Sequence, residues 1–172
     1  MNKKSILSNN IAKGGIFTAL GIICVYLSVL IPVNTLFFLL LASAIIPLTL
    51  LSTDMKTTIV VYLSTALLSL ILVPTKSIGI SYLILFGIYG IIKYFIEKLE
   101  NTYLEILLKL GFLNITMFII YFFYKTLLFK GTLLKLPLVL IVPFMQVVFA
   151  IYDYTLTVFI NYSKDKIIKN LK

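Results

Sequence analysis

Asp153 is the residue whose position most needs a chemical answer. It sits in the stretch Phe149–Tyr154, inside the last long apolar run of the chain. The inner end of that run is about nine residues away, roughly 14 Å at 1.5 Å per residue. A carboxylate is too short to reach water from there, and keeping it ionised costs on the order of 2.5–3.5 kcal/mol on insertion scales. It needs a partner, a wet cavity or a proton. Lys93 stands at a similar depth in another run of the same direction and is the expected partner. Lys109 and Asn114, in the antiparallel run between them, are placed to join the cluster. Two alternatives stand beside this reading. Lys93 can snorkel to the inner headgroups, and Lys109 can pair with Glu105 one helical turn earlier. The chemistry open to such a cluster is a structural salt bridge, or a coupling or ligand site.

A second group is aromatic and amide-bearing: Tyr82, Phe86, Tyr89, Tyr121 and Gln146, toward the outer halves of their runs. Aromatics near an interface usually anchor. The Gln146 amide, in contrast, asks for hydrogen-bond partners within the span, and a pocket for a flat, partly polar small molecule would supply them.

Other chemistry is excluded by what is missing. With no His and one Cys (Cys24), no zinc site, His-based triad or internal disulfide can be assembled. No nucleophile–base pair stands at an arguable spacing, so the chain reads as a non-enzyme that needs no cofactor. The net charge of +9 comes from lysine alone. Without arginine, bidentate clamping of phosphate or carboxylate is disfavoured. No basic soluble module exists to carry nucleic acid. Anionic lipid headgroups are the natural partners of these lysines.

The elements that must position these groups follow from composition: 61% of the 172 residues are apolar and 12% are charged, well off the balance of soluble domains. Each bilayer crossing takes about 20 apolar residues, so the length fits six crossings. The spans read as 14–31, 35–52, 57–73, 78–96, 104–124 and 137–162, punctuated by Pro32, Pro74 and Pro137, with Pro47 and Pro143 inside spans. Lys3, Lys4 and Lys13 ahead of the first run resemble a secretory signal, but Gly14–Ile31 is long for one, and an uncleaved first span is expected. The fold expected is all-α, a polytopic membrane helix bundle forming a single transmembrane domain over 1–172. With the amino terminus inside, eleven lysines fall on the inner side, and only Lys76, Lys125, Lys130 and Lys135 on the outer. This places both termini in the cytoplasm of a multi-pass protein.

Small residues mark close helix contacts. Gly87 and Gly90 do so beside Lys93. Ala12, Gly15 and Ala19 line one face of the first helix, where another membrane protein is a natural neighbour.

Six spans, inward termini and a small-residue first helix resemble the substrate-binding (S) components of energy-coupling factor transporters, and in particular S-component-like integral membrane proteins of firmicutes. The stretches that carry the resemblance are Asp54–Lys56, Phe86–Lys93, Leu108–Leu110 with Asn114, and Phe149–Asp153. It implies a subunit of the bacterial cell membrane that captures a vitamin or similar micronutrient. Ala12, Gly15 and Ala19 would then dock onto a membrane-embedded coupling subunit with associated ATPases. The chain has no Gly-rich phosphate loop of its own to power uptake. The series departs from the alanine-spaced pattern at Ile23. A non-transport scaffold for cell-envelope assembly explains the composition equally well and needs no pocket.

A charge exchange tests the expected Lys93–Asp153 pair. Lys93→Asp and Asp153→Lys should each lower the yield of folded protein in detergent, and the double exchange should restore it. Failure of the exchange to rescue removes the pair.

Overall fold

Helices account for nearly all of the computed structural model, which describes residues 3–123 and 138–169; no strand occurs among them. Helix α1 spans Lys3–Leu30, and a 3-10 turn at Pro32–Asn34 leads into α2, Thr35–Ser52. Helix α3 covers Met55–Leu72. The next span is composite: α4 (Lys76–Ser81), a π turn (Tyr82–Phe86) and α5 (Gly87–Glu97). Helices α6 (Thr102–Phe123) and α7 (Leu138–Lys169) complete the chain. Among the described residues, six helical stretches are long and apolar enough to cross a membrane: Leu7–Leu30, Pro32–Ser52, Met55–Leu72, Lys76–Glu97, Thr102–Ile120 and Val142–Lys166.

The expected spans coincide with these helices to within a few residues, except at two ends. Helix α1 begins about three turns before residue 14, and α7 runs on past residue 162 to Lys169. Hydropathy marks where a helix meets lipid, not where it stops, and neither polar extension holds a Gly–Pro break. Residues 124 and 137, the loop with Lys125, Lys130, Gly131 and Lys135, and Lys172 lie outside the described residues.

Two compact units divide the chain, Met1–Tyr94 and Phe95–Lys172. In the first, α1 packs on both α2 and α3. Glycines set the spacing of that packing. A methyl group built on Gly14 would lie 3.0 Å from Thr57 Cγ2, and one on Gly21 would lie 2.9 Å from Thr65 Cγ2. The partner face of α3 is lined by small or hydroxyl side chains: Thr58, Thr65, Ala66 and Ser69 are all buried. Most of their hydroxyls bond the same helix's carbonyls, as Thr58 does to Asp54 O (3.0 Å) and Ser69 to Ala66 O (2.7 Å). The helices therefore carry polar side chains into the contact without leaving most of them unanswered.

Side chains also tie the helix ends. Lys13 donates to Ser52 O at the end of α2 (3.3 Å), and Thr35 to Ser28 O near the end of α1 (3.0 Å). Lys76 donates to Leu70 O (2.7 Å) and Val73 O (3.2 Å) at the end of α3. These cations meet the negative end of the helix dipole and its leftover carbonyls. Asp54 is the N-cap of α3: its carboxylate accepts from Thr57 N (3.3 Å), from the Thr57 hydroxyl and from Asn10 Nδ2 of α1 (3.4 Å).

In the second unit, the turn between α5 and α6 is closed by Leu99 N donating to Ile96 O (3.0 Å). Glu100 then takes a left-handed conformation, φ 53°. Asn101 follows as the cap, its Oδ1 accepting from Tyr103 N (3.2 Å) and Leu104 N (3.4 Å). The turn thus carries the chain from the end of α5 into α6.

Two outcomes are expected. Gly21→Ala should lower thermal stability in detergent by about 1–3 kcal/mol as the added methyl forces Thr65 aside. Gly15→Ala, which meets nothing within 4 Å, should not. Separately, the Thr57 hydroxyl holds the Asp54 carboxyl below its ordinary value of 3.8. Asp54 therefore adds stability above the unfolded-state pKa, and the contribution fades as pH falls through the lowered one. Thr57→Val should bring the Asp54 titration seen by NMR up toward the ordinary value.

Candidate functional site: a lysine held by three carboxylates

The end of α5, α6 and α7 bring four ionisable side chains of the second unit together. Lys109 of α6 is at the centre, its side chain only 9% exposed. Its Nζ donates to Glu105 Oε1 at 2.6 Å, to Asp153 Oδ2 at 2.8 Å and to Glu97 Oε1 at 3.4 Å. An ammonium has three protons to give, and here three carboxylates receive them.

Each partner is delivered by a different local device. Glu105 lies one turn before Lys109 on the same helix, an i,i+4 pair. It also occupies the first turn of α6, where the helix dipole favours an anion. Glu97 is the last residue of α5 and is carried across by the tight turn at Lys98–Asn101. Asp153 comes from the middle of the apolar stretch Val142–Lys166 of α7. Below it on the same helix, Thr157 donates to the Asp153 carbonyl (2.9 Å).

Of the residues singled out in the sequence, the structure joins Asp153 to Lys109, and it gives Lys109 the Glu105 contact as well. The two readings of Lys109, local pair and deep partner, are thus both realised by one ammonium. Lys93 is 1% exposed and belongs to the first unit. Asn114 is exposed and donates to Leu110 O of its own helix (3.0 Å). Glu97 was missed as a ligand of the cluster. In sequence it is one of three charges closing the fourth span, and only the geometry of the turn separates it from Lys98 and Glu100.

Tyr82, Phe86 and Tyr89 are all buried in the first unit, Tyr82 and Tyr89 completely. Gln146 is half-buried on α7 in the second unit, and the Tyr121 side chain lies outside the described residues. Ala12, Gly15 and Ala19 are exposed. A methyl group built on Gly15 would meet nothing within 4 Å, unlike those on Gly14 and Gly21. Helix α1 is thus two-sided: Gly14 and Gly21 serve its packing on α3, while the stripe named from the sequence is left uncovered.

No group of three or more potential metal ligands is assembled among the described residues. The Glu97, Glu105 and Asp153 carboxylates converge on an ammonium instead. No family model, curated protein or solved structure matches the chain.

Lys109→Leu leaves three carboxylates around a missing charge and should destabilise the second unit by about 3–5 kcal/mol, the range for stranding a buried charge. Glu105→Gln, on a more exposed partner, should cost under about 1 kcal/mol. Thermal unfolding in detergent, followed by a reporter on α6, measures both.

Proposed function

We propose that this chain is the substrate-binding subunit of an energy-coupling factor type uptake transporter, with both termini in the cytoplasm of a bacterial plasma membrane. It captures a small micronutrient from outside and depends on a membrane-embedded coupling subunit with ATPases for energy. The observation that carries the reading is the division of labour on α1. The glycines that pack within the chain, Gly14 and Gly21, are distinct from the Ala12–Gly15–Ala19 stripe, which is exposed and open at Gly15. Exposed leucine and isoleucine beside the stripe need no cover in lipid. Small residues do invite a helix, because they let two backbones approach closely. The Lys109 cluster supports the same reading as the fixed point of the second unit, against which a moving partner can act.

A second reading, a membrane scaffold without transport, is favoured by the complete burial of Tyr82 and Tyr89. Aromatic groups that pack fully serve the fold rather than a ligand.

Co-purification from a host expressing coupling and ATPase subunits tests the proposal. The unaltered chain should bring the ATPases with it, and Gly15→Leu or Ala19→Leu should remove them while leaving the thermal midpoint unchanged. Retention of the ATPases by both variants overturns the docking face. Thermal-shift screening against vitamins and their precursors separates the two readings, since a scaffold should respond to none.

A further inference from the structure

The fourth span changes pitch at its middle. Residues Tyr82–Phe86 form a π turn, closed by Gly87 N–H donating to Tyr82 O. Such a turn takes in one residue more than regular helix, aligns its hydrogen bonds less well, and recurs where helices change state. In lipid a carbonyl turned off the ladder has no water to meet it. Here a carbonyl of the turn has a donor from another helix. The Tyr62 hydroxyl of α3 donates to Leu83 O at 2.9 Å.

The Tyr62 ring reaches that carbonyl only because Gly87, one turn further on, has no side chain. A methyl group on Gly87 would lie 2.9 Å from both Tyr62 Cδ2 and Cε2. The π turn, the glycine behind it and the hydroxyl across from it therefore form one arrangement. Among the described residues, no side-chain hydrogen bond from another helix is shown to the backbone of Lys76–Ser81. The ties of this segment are at the far end, where Lys76 donates to the last carbonyls of α3 and Gly79 packs on Ser69 O and Leu70.

We infer that the Tyr62–Leu83 hydrogen bond is a latch that keeps the fourth span in a bulged register. Its release lets the turn anneal to regular helix. Annealing adds one residue to the α ladder, which rotates Lys76–Ser81 by about 100° and moves it about 1.5 Å relative to Gly87–Glu97. That rotation draws Lys76 and Gly79 away from the end of α3. The connection Val73–Thr75, closed while the latch is made, then opens. The device couples a bond at mid-helix to a loop at the membrane face, and it does not rest on the transport reading.

A disulfide reads the register directly. A Cβ built on Gly79 lies 3.4 Å from Leu70 Cα, so cysteines at these two positions fall within reach of a bond. In a Cys24→Ala background, Leu70→Cys with Gly79→Cys should cross-link readily, and adding Tyr62→Phe should reduce the yield several-fold. A control pair across α1 and α3, Gly14→Cys with Val61→Cys, should keep its yield. Deleting Leu85 removes the extra residue, so that variant should cross-link at 70 and 79 whether position 62 is Tyr or Phe. An unchanged yield with Tyr62→Phe overturns the latch. Loss of both pairs also overturns it, because the hydroxyl would then serve the whole unit. So does a Leu85 deletion that stays sensitive to position 62.

Discussion

Lipid offers helices no hydrophobic reason to prefer one another over acyl chains, so what holds the first unit is how closely its backbones can come. Contact at short range, helped by small side chains, replaces the expulsion of water. The glycines are placed accordingly. Gly14 and Gly21 set α1 on α3, Gly79 brings α4 onto the end of α3, and a methyl on Gly90 would sit 2.9 Å from Pro47 Cδ of α2. That last contact uses the proline inside α2 as a flat surface. Everything else in the unit, including the reach of Tyr62 across to the fourth span, presupposes this spacing.

Close approach leaves the polar groups of the backbone to be answered from within. Helix ends are the weak places, since their outermost carbonyls and amides lack ladder partners. At the described junctions polar side chains meet this: Thr35 between α1 and α2, Lys13 and Asp54 between α2 and α3, Lys76 between α3 and α4, Asn101 between α5 and α6. Several of these reach back from a neighbouring element rather than from the helix they cap. The few charges of an apolar chain thereby do two tasks, satisfying a terminus and fixing where the next helix begins.

Much of this was legible beforehand. Six long apolar stretches were readable from continuous runs and prolines, because span length is fixed by bilayer thickness and prolines stop helices. The two-sided character of α1 was half visible: Ala12, Gly15 and Ala19 share a face in any helix, but the opposite role of Gly14 and Gly21 depends on where α3 lies. Asp153 announced itself as a residue needing an answer. That Lys109, already claimed by Glu105 in a local reading, also reaches Asp153 and Glu97 depends on three-dimensional packing. The π turn left no mark in the sequence. Tyr82–Phe86 is ordinary apolar helix by composition, and the extra residue is accommodated by contacts from Tyr62, twenty residues earlier.

The Lys109 arrangement also bears on how such a chain is made. Synthesis proceeds from the amino end, so Glu97, Glu105 and Lys109 leave the ribosome well before Asp153. When α6 enters the bilayer, its ammonium already has Glu105 on the same helix and Glu97 just before the turn to answer it. Helix α7 then brings a third acid, Asp153, to the one ammonium. The order of the residues along the chain gives Lys109 its first acid partners before Asp153 arrives.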